Sequence, residues 1–184
     1  MSFLYLAYGS NMLTERLRHR CPSARPIGTA LVPGHALGFT KPSVDRSGKA
    51  TLIAERAQGI HTPGVLFEIE EADLPNLDKA EGAGKGYDRL DAFEVVHAGT
   101  TDPVMVTTYL AIETRAHLTP YDWYLALVIA GAHEHELDAE HIRALKEIGY
   151  QIDGDAARLS RREALRALTA HGHDDVHALL RPSG

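Results

Sequence analysis

A single cysteine, Cys21, stands in the 184 residues of this sequence. One thiol closes no disulfide within the chain. Without a Cys-x-x-Cys pair or a Cys/His quartet, a structural zinc site also lacks its usual ligands. Basic residues are in deficit: 19 Lys and Arg stand against 25 Asp and Glu, a formal net charge of −6, which argues against a sequence-independent grip on nucleic acid. No apolar run is long enough to span a bilayer, and no basic segment precedes the N-terminal one as in a signal peptide. Internal repeats and low-complexity linkers are missing too. What remains is 44% hydrophobic and 24% charged, a globular composition long enough for one core without covalent staples. The expectation is a soluble, unprocessed chain in a reducing cytoplasm.

The chain is organised around Phe3-Leu4-Tyr5-Leu6-Ala7-Tyr8-Gly9-Ser10-Asn11. Apolar side chains on both alternating faces mark a buried strand, which stops in a small polar turn. After Gly9 the period changes. Leu13 and Leu17 recur at helical spacing, Ser10 or Asn11 is suited to cap the helix, and Cys21-Pro22 closes it. Amide groups at such a turn lack internal partners and attract a carboxylate or a developing oxyanion. Gly9 would allow a ligand to approach closely. Spacing alone leaves a turn that binds nothing equally open.

Short strands are predicted over 27–32, 36–40, 50–55 and 64–69, separated by Pro, Gly and Ser turns. From Glu70 to Glu81 an acidic start leads into a helix on which Leu74, Leu77, Asp78 and Glu81 share one face. Glu81 is odd there. Desolvation on that face and the negative end of the helix dipole both disfavour its anion, which suits a general acid or base. The bland alternatives are a frayed helix end in water, or a buried Glu81 paired with Arg89. The loop 82–86, Gly-Ala-Gly-Lys-Gly, fails the spacing of a phosphate-binding loop and reads as a mobile connection beside Glu81. Strands over 87–97 and 104–112 form a hairpin, with Tyr109 in the second, where a purely structural tyrosine is the alternative reading. Helices follow from Thr119-Pro120 to Gly131-Ala132, over 138–148, and over 160–171 with a capping box at Ser160 and Glu163. The histidines at 133, 135, 141, 171, 173 and 177 show no ligand motif and are expected to be solvated or in loops.

At Tyr8-Gly9-Ser10-Asn11, followed by Leu77-Asp78-Lys79-Ala80-Glu81-Gly82, the sequence resembles the γ-glutamylcyclotransferase family, which includes AIG2-like and BtrG-like proteins. Further matches are Gly64-Val65-Leu66, Tyr109-Leu110 and Tyr124 leading into Ile129-Ala130-Gly131-Ala132. The resemblance covers about residues 3 to 150. It implies an α+β fold, a small mixed β-barrel-like sheet flanked by helices. This makes 1–150 the γ-glutamylcyclotransferase-like domain and 151–184 a C-terminal helical extension packed on it. The extension is not expected to supply a catalytic group.

The implied activity is cyclisation of γ-glutamyl amides to 5-oxoproline with release of an amino acid or amine, as in glutathione metabolism. Glu81 is the implied catalytic acid/base, and Tyr5, Tyr8, Gly9, Ser10, Asn11 and Tyr109 are the implied substrate-binding residues. The turn would hold either the oxyanion or the substrate α-carboxylate. No cofactor and no metal are implied. The partner is a small-molecule γ-glutamyl substrate, with neither nucleic acid nor membrane, and a homodimer stays open. Two other readings remain: removal of a γ-glutamyl protecting group in a biosynthetic pathway, and a non-catalytic binding module on the same fold.

Overall fold

The computed structural model describes residues 1–100 and 102–182. The opening apolar run forms β1 (Ser2–Ala7), which lies antiparallel to β5 (His61–Glu70) with Tyr5 opposite Phe67 and Ala7 opposite Val65. β5 continues antiparallel onto β2 (Arg25–Pro33). The long hairpin of β6 (Tyr87–His97) and β7 (Pro103–Ala111) then completes the wall. One parallel pairing, Tyr5 with Thr107, closes the ring, so the five strands make a barrel in the order β1-β5-β2-β6-β7. A separate hairpin of β3 (His35–Pro42) and β4 (Gly48–Ala54) stands beside it. The fold is thus α+β with a barrel-like sheet. Closure explains why β1 and β5 bury both faces: Leu6, Val65, Leu66 and Phe67 are all fully enclosed.

Helices pack outside the barrel: α1 (Thr14–Arg20), α2 (Leu74–Glu81), α3 (Asp122–Glu134), α4 (Ala139–Lys146), α5 (Leu159–Ala170) and α6 (Val176–Leu180). α3 is buried on every side from Asp122 to Ala132, as its unbroken apolar composition requires. It is covered by α4, α5, α6 and the turn that follows β1. The C-terminal segment is pinned where it begins. Trp123 Nε1 donates to Asp153 Oδ2 at 2.9 Å, and Arg158 Nε meets the same oxygen at 2.6 Å. Beyond that anchor, Ala164, Leu168, Leu179 and Leu180 are buried.

Several element boundaries differ from the sequence expectation for local reasons. Ahead of α2 the acidic residues Glu71–Asp73 form a 3-10 turn, and the α-helix starts at Leu74 with Pro75 in its first turn, where a missing N–H costs nothing. α5 begins at Leu159 with Arg158 in the cap position and no side-chain cap. Ser160 therefore lies inside the helix, because Asp153 holds Arg158 where the chain turns. The short α6 has no counterpart in the sequence reading. The glycine-rich stretch after Glu81 is a closed turn: the amides of Lys85 and Gly86 donate to Gly82 O, and that of Gly84 to Tyr87 O.

Candidate active site

Tyr8 and Gly9 leave the end of β1, and Ser10–Met12 form a 3-10 turn closed by Met12 N–H on Gly9 O at 3.0 Å. Neither Ser10 nor Asn11 caps α1. Leu13 holds that position without a side-chain bond, because both polar side chains have partners elsewhere. Ser10 Oγ accepts from Arg16 Nε at 3.2 Å, while Asn11 Nδ2 donates to the Tyr5 hydroxyl at 3.0 Å and to Glu81 Oε1 at 2.7 Å. The first free amide of α1, Thr14 N–H, donates to Glu134 Oε2 at 2.8 Å. A carboxylate of the protein itself therefore sits at that helix end. Gly9 is required by close packing: a Cβ there would lie 2.9 Å from the Ala50 Cβ on β4. That space faces a strand of the protein.

Glu81 ends α2, with its side chain 15% exposed. Leu77 on the same helix is fully buried, but Asp78 and Glu81 reach a polar rim. The apolar surroundings expected for Glu81 are absent. Arg20 Nη1 donates to Glu81 Oε1 at 3.0 Å and to Asn11 Oδ1 at 2.8 Å. Arg89, the partner considered from sequence, instead engages Asp78 at 2.6 Å and Asp91 at 2.9 Å. Helix α1 supplies the cation because the turn before it brings Arg20 across the end of α2, whereas Arg89 leaves along β6.

Glu81, Tyr5, Tyr8, Gly9, Ser10, Asn11 and Tyr109 all line one small cavity of about 30 Å³. Ala50, Tyr87 and Tyr124 complete its wall, and these three were not singled out from sequence as site residues. The one available signal was a hydroxyl-bearing side chain, Tyr124, on an otherwise apolar helix. The Tyr109 hydroxyl donates to Asp78 Oδ1 at 2.7 Å and that of Tyr87 to Ala50 O at 2.8 Å, while the Tyr124 oxygen accepts from Ala50 N–H at 3.1 Å. Tyr8 donates to the carbonyl of Tyr109. Burial raises the pKa of all five tyrosines, and the nearby Glu81 charge acts in the same direction. The phenols therefore stay protonated at neutral pH.

Outside this cavity lies a vestibule of about 520 Å³ that shares Ser10, Glu81, Tyr87 and Tyr124 with it. The C-terminal segment contributes Arg158, Ser160 and Glu163 to the vestibule wall. A larger cleft of about 780 Å³ between α1, α2 and α5 reaches Arg20 but none of the tyrosines. Among the described residues no group of three or more His, Cys, Asp or Glu side chains could hold a metal ion. His135, expected in solvent, lies against the Phe67 ring, with Nε2 3.0 Å from Met12 O. It braces the turn from behind.

Comparison with known proteins agrees with this architecture. An AIG2-like family model matches residues 61–145, a span that includes Glu81 and Tyr109. A bovine γ-glutamylcyclotransferase is 31% identical over 156 residues, covering 80% of this chain and 79% of the relative. This chain belongs to the γ-glutamylcyclotransferase family. The human relative of that name is likewise 31% identical, over 153 residues with the same coverage. A solved structure described as a γ-glutamyl cyclotransferase superposes with a TM-score of 0.79 at 27% identity, covering 90% of this chain and 99% of its own. YkqA from Bacillus subtilis, at 24% identity and a TM-score of 0.66, shares the fold. In this family member, no helix among the described residues is long and apolar enough to cross a membrane.

Proposed function

We propose that this family member is an enzyme that cyclises γ-glutamyl amides to 5-oxoproline and a free amino acid or amine, with Glu81 as general acid and base. The observation that carries the reading is the Glu81 carboxylate at the wall of a tyrosine-lined cavity, with Asn11 and Arg20 both bonded to Oε1. Those bonds orient the group and leave Oε2 to meet the substrate. The bovine and human relatives, which carry the name γ-glutamylcyclotransferase, support the same chemistry.

The substrate brings its own nucleophile, the glutamyl α-amine, which is protonated in water with a pKa of about 8. Glu81 takes a proton from this ammonium. The free amine attacks the γ-carbonyl carbon, the new C–N bond closes a five-membered lactam, and the carbonyl electrons move to oxygen. The ring nitrogen still carries two protons at this point; as the tetrahedral intermediate collapses, Glu81 returns the first proton to the departing nitrogen while the original amide C–N bond breaks, and the second proton leaves the ring nitrogen for the released, more basic amine, giving a neutral lactam. No electrons are gained or lost and no water is consumed, so the reaction calls for no redox cofactor, and Glu81 with the turn amides can supply the proton transfer and oxyanion stabilisation without a metal. Amides of the Gly9–Asn11 turn are the donors for the oxyanion or the substrate α-carboxylate. The tyrosine wall holds the substrate folded and excludes the water that would otherwise compete. The tyrosine cavity alone, at about 30 Å³, has room for little more than a water, so a small-molecule substrate would occupy it together with the vestibule of about 520 Å³, and the single free thiol, Cys21, suits a reducing cytoplasm.

The test is Glu81→Gln, which keeps the side-chain shape but cannot carry the proton. The variant is expected to bind γ-glutamyl compounds while 5-oxoproline release falls by about 10²–10⁴-fold, the usual contribution of one general acid–base group. EDTA should leave the rate of the unsubstituted protein unchanged. Turnover within a few-fold of normal in folded Glu81→Gln would overturn the assignment.

A further inference from the structure

The cleft of about 780 Å³ where α1, α2 and α5 meet holds none of the cavity tyrosines, and the cyclisation proposed above gives it no role. Each of the three helices puts a cation into its wall: Arg16 and Arg20 from α1, Lys79 from α2 and Arg166 from α5. Against these four stand two carboxylates, Glu15 and Glu163. The charge balance of the cleft is thus positive in a chain whose formal net charge is −6. Arg20 has a carboxylate within ion-pair distance, Glu81 at 3.0 Å. Arg16, Lys79 and Arg166 form no ion pair among the described residues.

Arg16 separates this cleft from an ordinary basic surface. It is only 8% exposed, and Nε donates to Ser10 Oγ at 3.2 Å, yet its Nη atoms are neither bonded nor sealed from solvent. Burial lowers its pKa to about 9, and the charge of Arg20, one helical turn on, acts in the same direction. Glu163 opposes both from α5 without pairing with it. Two like charges on one helix face, one of them buried, are costly to hold together. An anion between them removes that cost, and a guanidinium fork matches the oxygens of a phosphate or carboxylate. Lys79 and Arg166, both exposed, supply further positive charge from the other two walls. The volume is that of a small-molecule site, so the ligand is larger than a single ion. Arg20 also joins the cleft to Glu81, because Nη1 holds Glu81 Oε1 and Asn11 Oδ1. An anion in the cleft competes for that guanidinium.

We propose that the cleft between α1, α2 and α5 is a second binding site, for a small molecule carrying a multivalent oxyanion, and that its occupation slows turnover by drawing Arg20 from Glu81. The site stands on the cleft's own residues; only the effect on turnover rests on the cyclisation reading. Pyrophosphate and citrate are the probes, and the tighter of the two tells phosphate chemistry from carboxylate chemistry. Binding to the whole protein is measured by calorimetry at constant ionic strength set with sodium chloride. At least one probe is expected to bind saturably. The double variant Lys79→Met/Arg166→Met, which changes two exposed side chains, should weaken that binding by about tenfold or more, as for lost charge-assisted contacts. Lys41→Met, which alters the vestibule and not this cleft, should leave it unchanged. At saturation the probe should slow 5-oxoproline release from γ-glutamylalanine by about tenfold in the parent protein. At the same concentration the double variant should keep most of its own rate without probe. Absence of saturable binding overturns the site, as does binding that is weakened by Lys41→Met and not by the double variant. Binding in the cleft with turnover unmoved overturns the link through Arg20. If the parent releases no 5-oxoproline while the binding and its dependence on Lys79 and Arg166 persist, the cyclisation reading falls, the effect on turnover falls with it, and the site stands.

Discussion

Arg20 Nη1 lies 3.0 Å from Glu81 Oε1, and the same nitrogen lies 2.8 Å from Asn11 Oδ1. With the Asn11–Glu81 bond of 2.7 Å, the three side chains close a triangle that ties α1, the turn after β1 and α2 together. The carboxylate is therefore held by a charged donor and a neutral one in place of an apolar face. Such an arrangement fixes which oxygen is free and where it points, and positioning is the larger part of what a single carboxylate needs for proton transfer.

On the proposed role of Glu81, Arg20 would act as a positioning residue, and Arg20→Met is expected to lower turnover by up to about 10²-fold with little change in substrate binding. Stability should fall by only about 1 kcal/mol, since the pair is partly exposed. Loss of stability with unchanged turnover per folded molecule would make Arg20 merely structural.

Gly131 is where α3 passes behind the turn that follows β1. A Cβ there would lie 2.5 Å from Leu13 N and 2.6 Å from Met12 C, both backbone atoms that cannot yield without moving the turn. Gly131→Ala should destabilise by about 1–3 kcal/mol, the usual range for overpacking a core. It should also reduce turnover in the molecules that remain folded, because Asn11 is displaced from Glu81. Gly149→Ala, which meets no atom within 4 Å, is the control and should change neither. Denaturant midpoints and turnover of the two variants decide the matter.

Glu134 makes acid stability measurable at the same junction. Burial pushes its pKa up, but hydrogen bonds from His135 and Thr14 outweigh this and hold the group at about 2. The folded value lies below the unfolded reference of about 4.3, so the stabilisation is complete above that pH and is lost as pH falls towards 2. Glu134→Gln should therefore be less stable than the unsubstituted protein by about 1–2 kcal/mol at pH 7, allowing for partial exposure. The gap should close below about pH 4. Urea titrations at pH 7 and pH 3 check this, and a gap that does not change with pH would refute it.

Much of the fold is legible in the residues because it follows from local pattern. Alternating apolar faces mark β1 and β5, turn residues separate the short strands, and the unbroken apolar run of α3 announces a buried helix. The cavity residues are legible for a different reason: Tyr5 to Asn11 sit at a change of hydrophobic period, and Glu81 sits where a leucine-bearing helix ends in glycine. The family motifs joined these segments. Tyr87 drew no attention, and Tyr124, matched to the family, was given no place in the site, because within their own elements an aromatic is ordinary. Only the seating of β4 against both of them, through Ala50, makes them cavity wall.

The amino-acid sequence by itself determined the strands and the longer helices to within a few residues, the acidic group on α2 and the polar turn after β1, since each depends on neighbours a few residues away. The tertiary structure decided what faces Glu81. Arg20 is 61 residues away along the chain, and no periodicity relates the two, so the choice of Arg20 over Arg89 follows from the path of α1 across the end of α2. It likewise decided that Ser10 and Asn11 serve the cavity in preference to capping a helix, and that Glu163 faces the vestibule instead of its own helix start. Hydrogen-bonding side chains take the nearest partner in space, and barrel closure sets which partners those are.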